Sequence, residues 1–271
     1  MNKETNYVLS NGVEIPCVAF GTWQIAEGDD AYNSTLCALK NGYRHIDTAQ
    51  AYGNERSVGR AIKDSGIPRE QIFVTTKLPA EIKGYNEAIE NFNGSLERLG
   101  LDYIDLYLIH APKPWHINSD GMEYMEQNIE TWKAFEKLYK EGKVRSIGVS
   151  NFMVRHLVPL LEVCEIVPMA NQIQLNPHYV PVDTVTYCRE RNILLEAYSP
   201  FATGRVFKDE RLLKIAERVN RSLSHLCMRW CLQNGFLPLP KSVKEERIID
   251  NLNVFDFELS KEVLNELAKT E

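Results

Sequence analysis

YRHIDTAQAYGNERSVGRAIKDSGIPREQIFVTTKL, residues 43 to 78, decides the fold. It opens on a strand-like run at 43–47, just after Gly42, and closes on a second at 72–78. Between them, 54–64 carries apolar residues at helical spacing. Strand, helix, strand in this order implies a right-handed crossover between two parallel strands. The unit also contains a misfit. Its first strand ends in an acid, Asp47, and Tyr52 follows in a segment of turn and cap residues. A capping carboxylate and a loop-packing phenol would account for both, so the rest of the chain has to decide.

Outward from this unit the alternation continues. Strand-like runs recur at 17–22, 43–47, 72–78, 103–110, 144–150, 168–175, 193–199 and 236–242. Helical patterns lie between them at 29–41, 54–64, 84–99, 127–141, 151–163, 181–191 and 222–233, with others at 209–219, 244–254 and 260–269. Eight such strands with no linker between halves predict an α/β fold, a (β/α)8 TIM barrel formed as one domain over 1–271, with two extra helices. YVLSNGVEI, residues 7–15, predicts an N-terminal β-hairpin on a two-residue Asn11-Gly12 turn. Asn41-Gly42 and Gly100 are helix stops, Ser242 with Glu245 reads as a capping box, and Ser260 as an N-cap.

Composition narrows the function classes. The chain has 271 residues, 44% hydrophobic and 25% charged, in the ordinary range for a globular protein. Its net charge is −6 and it has no long basic run, which argues against a nucleic-acid or anionic-membrane partner. No apolar stretch is long enough to span a bilayer, and the first residues lack a signal-peptide core. The six cysteines are scattered without a CxxC pair, which suits free thiols in a reducing compartment; a cytoplasmic location is expected. Cys227 and Cys231 share a helical face near His225, but free cysteines usually pack as small hydrophobes, so no metal is expected.

Active sites of such barrels lie at the carboxyl ends of the strands. Alternation in IFVTTKL puts Phe73, Thr75 and Lys77 on one face. A lysine buried there needs a partner, and Asp47 on the neighbouring strand is placed to supply it. An ammonium beside Tyr52 would lower the phenol below its usual value of about 10 and tune it for proton transfer near neutral pH. His110 ends the next strand, where its ring would hold a carbonyl oxygen. Taken singly, Lys77 also reads as solvent-facing, Tyr52 as packing and His110 as a satisfied core histidine. Their occurrence on three consecutive strand ends favours a site.

At this point the chain resembles the aldo-keto reductase family, as a short, bacterial-type member. The strings that carry the resemblance are AFGTW, GYRHIDTAQAYGNE, TTKL, LDYIDLYLIH, GKVRSIGVSNF, NQIQLNP, AYSPF and LPKSVKEERIIDN, spread over about 7–255. The resemblance implies Asp47, Tyr52, Lys77 and His110 as a catalytic tetrad, with Tyr52 as proton donor. It implies NADPH as cofactor, with Gly21 and Thr22 beside it and Ser150, Asn151 and Gln172 on the nicotinamide carboxamide. Tyr198 would stack on the nicotinamide ring, with Ser199 and Phe201 along the pyrophosphate. Lys241, Ser242 and Arg247 would meet the 2′-phosphate, with Val243 also in the cofactor site, and Asp250 and Asn251 the adenine. Lys241 and Arg247 also sit beside a helix amino terminus, which favours phosphate. The chain has no GxGxxG fingerprint, so cofactor binding would not be of the Rossmann kind.

Departures from the family bear on substrate. Pro79 and Ala111 stand where relatives often carry aromatic pocket walls, and a carboxyl-terminal closing loop has little room before Glu271. Trp23 and Trp115 remain as walls, with Tyr124 a further one. A wide, solvated mouth suited to small aldehydes and dicarbonyls such as methylglyoxal is expected, in a monomer. Two other readings stay open: a cofactor-binding protein without turnover, and a barrel isomerase or lyase with a phosphate site.

Overall fold

Strands buried on both faces carry near-continuous apolar runs. Phe73–Leu78 (β5) and Ile104–Ile109 (β6) are buried at every residue, β6 apolar but for Asp105 and β5 interrupted by Thr75, Thr76 and Lys77. In the computed structural model, which describes residues 1–268, they lie side by side in an eight-stranded parallel sheet. The other strands are Phe20–Gly21 (β3), His45–Asp47 (β4), Val144–Ser150 (β7), Ala170–Gln174 (β8), Leu194–Tyr198 (β9) and Leu237–Pro238 (β10). Each pairs with its neighbour in sequence, from β3 through β10. The ring closes where the Ala19 and Gly21 N–H groups donate to the Pro238 and Pro240 carbonyls at 3.1 and 3.0 Å. Those prolines have no N–H to return, so the seam is bonded in one direction and both strands are shorter than their apolar runs. A Cβ on Gly21 would lie 3.3 Å from the Leu239 oxygen, a tight contact at the seam.

Helices cover the outside. Asp29–Lys40 (α1), Glu55–Asp64 (α2), Tyr85–Leu99 (α3), Met125–Lys140 (α4), Val154–Val163 (α5) and Val182–Glu190 (α6) follow β3 to β8 in turn. Two helices, Glu210–Arg218 (α7) and Leu223–Gln233 (α8), separate β9 from β10, and Glu245–Asp250 (α9) and Lys261–Leu267 (α10) follow. Residue 269 of the last expected helix lies outside the described residues. Ser260 caps α10 by accepting from the Val263 N–H at 3.3 Å.

Two local expectations are corrected. The hairpin Asn6–Val8 (β1) and Glu14–Pro16 (β2) forms, but its loop has three residues rather than two. Leu9 pairs with Val13, and Gly12 donates back to Leu9 at φ +84°, so the turn carries a bulge at a left-handed glycine. The expected Ser242–Glu245 capping box is absent. Ser242 instead accepts from the Lys244 N–H at 3.0 Å, and Lys244 is the residue that precedes α9. The hairpin lies under the barrel, where the Asn11 amide donates to the Arg145 carbonyl beside the start of β7. The opposite end holds the cavity.

Candidate active site

Asp47 ends β4 opposite Thr75 of β5, which brings Lys77, two residues further on, to the open end of the barrel. Both side chains are buried. Lys77 Nζ lies 2.7 and 2.9 Å from the two Asp47 oxygens and 2.9 Å from the Thr48 carbonyl. Its remaining neighbour is the Tyr52 hydroxyl at 3.3 Å. Tyr52 arrives on a single 3₁₀ turn, Gln50–Tyr52, which ends at the left-handed Gly53. The acid at the end of the strand and the tyrosine in its loop are therefore the two sides of one lysine.

Burial alone would pull the Lys77 ammonium down, but Asp47 and Tyr52 outweigh it and hold Lys77 above its ordinary value. Tyr52 departs from expectation. Burial of its hydroxyl pushes it above the usual phenol value, and the Lys77 charge offsets only part of that rise. The phenol is thus held protonated at neutral pH, the form a proton donor requires. Burial, with Lys77 and Lys83 nearby, brings His110 down to about 3, so its ring is neutral. Its Nδ1 is buried without a partner among the described residues. A lone pair there is less costly than an orphaned N–H, which favours the tautomer with the proton on Nε2. The His110 ring packs edge-on to Tyr52 at 5.6 Å and to Trp115 at 5.4 Å.

A cavity of about 1230 Å³ runs from this cluster along the carboxyl ends of the strands. Trp23, Tyr52, His110 and Trp115 line one end; Gly21, Ser150, Asn151, Gln172, Tyr198, Ser199 and Phe201 line the middle; Lys241, Ser242, Arg247, Asp250 and Asn251 line the other. The middle is tightly tied. Tyr198 donates to Asn151 Oδ1 at 2.7 Å, Asn151 donates to the His110 carbonyl at 2.9 Å, and Ser150 donates to the Gln172 carbonyl at 2.8 Å. Asn151 and Ser199 hold left-handed backbone at φ 62° and 50°, a strain that surrounding bonds must maintain. Among the described residues neither Lys241 nor Arg247 has a carboxylate partner.

Five expected site residues do not line this cavity; Lys77 is one, fully buried behind Asp47 and Tyr52, which do. Thr22 is fully buried and its hydroxyl bonds the Asp47 carbonyl at 3.1 Å, supporting the acid from behind. Val243 is half exposed and turned away. Ala111 is buried, with its carbonyl bonded by Lys83 at 2.6 Å, and Pro79 is likewise off the cavity. Trp115, expected as a wall, lines the cavity and packs on the His110 ring. Tyr124 does not reach it. The sequence reading also overlooked Glu196, an acid inside the apolar strand β9, and the segment Ala202–Lys208 that forms part of the cavity wall. Cys227 and Cys231 are buried among apolar residues, and no described group of three His, Cys, Asp or Glu side chains is arranged to hold a metal. No described helix is long and apolar enough to cross a membrane.

A protonated phenol backed by a buried ion pair, set at the carboxyl ends of barrel strands, defines the molecule as a (β/α)8-barrel enzyme. Residues 18–271 match the model of the aldo/keto reductase family. The chain belongs to that family. It is 46% identical to glyoxal reductase of Bacillus subtilis (strain 168), over 96% of this chain and 90% of that protein. An aldo/keto reductase structure from Brucella melitensis superposes with a TM-score of 0.89 at 40% identity, covering 97% of this chain and 98% of its own. The Bombyx mori aldo-keto reductase, solved in complex with NADP, superposes with a TM-score of 0.87 at 33% identity, over 99% and 93%.

Proposed function

We propose that this protein reduces aldehydes and small dicarbonyls to alcohols with NADPH, using Tyr52 as the proton donor. The observation that carries the reading is the Lys77–Tyr52 contact at 3.3 Å, with Lys77 fixed by both oxygens of Asp47. When bound, NADPH supplies the hydride; the protein supplies position and electrostatics. The residues present fit that cofactor. Ser150, Asn151 and Gln172 bring amide and hydroxyl groups to the place for a carboxamide, and Tyr198 offers a ring face. Ser199 and Phe201 lie on the path of a pyrophosphate, Lys241, Ser242 and Arg247 suit a 2′-phosphate, and Asp250 and Asn251 suit an adenine. Two cations with no carboxylate partner among the described residues, at the end of a long cleft, are the feature a ribose phosphate would satisfy.

The proton steps follow from the geometry. His110, neutral and protonated on Nε2, donates a hydrogen bond to the substrate oxygen. Tyr52 gives its proton to that oxygen as negative charge develops there, and the Lys77 ammonium stabilises the phenolate left behind. Asp47 keeps Lys77 charged in a buried setting. Trp23 and Trp115 flank the entrance and admit flat or small carbonyl compounds, in keeping with the glyoxal reductase relative. The cavity is built from one chain, and the reading takes the protein as a single-domain cytoplasmic monomer. The test is NADPH consumption, followed by absorbance, with methylglyoxal and nitrobenzaldehyde. Tyr52→Phe should lower turnover by about 10²–10⁴-fold while NADPH still binds. Retained aldehyde reduction in that variant would remove Tyr52 from the mechanism.

A further inference from the structure

Gln172 sits between two acids. Its Nε2 donates to Asp47 Oδ2 at 2.8 Å and to Glu196 Oε2 at 3.1 Å. Glu196 is the register partner of Gln172 on the adjacent strand β9 and is completely buried. A side-chain amide has two protons, and both are taken. The amide oxygen is the group left for the cavity that Gln172 lines. Turning the amide over would aim that oxygen at the Asp47 carboxylate and lose the bond to it.

A buried acid in an apolar strand is costly unless its contacts compensate. Glu196 has one bond in the described structure, and its Oε1 has no partner. Burial and the Asp47 charge raise Glu196 to about 8, so it is a neutral acid at physiological pH and accepts from Gln172 in that form. The contact with Gln172 is the one interaction in the described structure that accounts for an acid at this position.

We propose that Glu196 is a positioning residue: with Asp47 it takes both amide protons of Gln172, so the pocket presents an oxygen and selects a cofactor carboxamide over a carboxylate. This rests on the cofactor reading above. It acts through Gln172 and does not touch the reacting atoms.

The test is equilibrium binding, read by intrinsic fluorescence, of three probes to the full chain. They are NADP⁺, its analogue with a nicotinic acid in place of nicotinamide, and 2′,5′-ADP, which lacks the nicotinamide half. Wild type should favour NADP⁺ over the acid analogue by at least about thirtyfold, because an acid meets the Gln172 oxygen beside Asp47. Glu196→Met fills the space without an acceptor and should narrow that ratio about tenfold, the effect of freeing one amide proton. Glu196→Leu serves the same purpose if the Met variant does not fold. Glu196→Gln restores an acceptor and should restore the ratio. Binding of 2′,5′-ADP should be the same in all four proteins. The inference is overturned by an unchanged ratio in the apolar variants, by failure of Gln to rescue, or by an equal loss of 2′,5′-ADP binding, which would indicate a general structural role. Failure of wild type to bind NADP⁺ and 2′,5′-ADP would instead overturn the cofactor reading itself.

Discussion

Glu196→Gln should change how stability depends on pH. In the folded protein burial raises Glu196 from 4.5 to about 8. Across that window the folded state holds a proton that the unfolded chain has released, so folding stability falls as pH rises. Each pH unit inside the window is worth about 1.4 kcal/mol. Moving from about pH 5.5 to about pH 7.5 therefore removes roughly 2–3 kcal/mol from wild type that the Gln variant, having nothing to titrate there, does not lose. Buried His45 and His110, both lowered to about 3, act in the opposite sense below 6.5, but they are common to both proteins and cancel in the difference. Urea unfolding of both proteins at the two pH values measures it. The variant should gain on wild type by roughly 2–3 kcal/mol at the higher pH. A difference that stays constant across the range would mean that Glu196 is ionised in the folded protein, and the reasoning about its neutral form would fail.

Arg247→Ala should weaken NADPH by tenfold or more and leave NADH nearly unchanged, since a charge-assisted phosphate contact is worth roughly 1.5–3 kcal/mol; equal losses in direct binding would displace Arg247 from the 2′-phosphate. Trp115→Ala removes the ring packed on His110. It should raise KM for aromatic aldehydes by about three- to tenfold, with a smaller change for methylglyoxal, in steady-state assays over both substrates. Lys77→Met should abolish most turnover and also destabilise the fold by about 3–5 kcal/mol, because Asp47 is left charged and buried. Adding Asp47→Asn should recover part of that stability in thermal melts but none of the turnover.

Much of this architecture was legible because barrel strands are written as apolar runs, and the polar exceptions within them stand out. Asp47, Lys77 and His110 are such exceptions, and alternation along IFVTTKL was enough to turn Lys77 inward beside Asp47. Glu196 was legible by the same rule, as the acid in ILLEAYS, two positions before Tyr198. The mouth was legible only in part. Whether Ala111 or Trp115 forms a wall depends on the course of an irregular loop, and strand periodicity says nothing about it. Nor does sequence weigh burial against charge at Tyr52, where desolvation exceeded the effect of the lysine. The seam strands were overestimated because an apolar run containing Pro238 and Pro240 looks longer than the ladder it can bond.

That seam has a consequence for synthesis. The ring is closed by hydrogen bonds from Ala19 and Gly21, among the first strand residues made, to Pro238 and Pro240, among the last. While a ribosome is still translating α8, β3 has no neighbour on its outer side and the nascent sheet is open, with Phe20 and the other core residues beside the gap unsealed. Contacts between such distant segments form slowly, and an open sheet edge invites pairing with another chain. Completion of the barrel is thus a late, chain-length-dependent event. Arrest or truncation before residue 237 leaves the edge of β3 unpaired, however well the first seven barrel strands have paired.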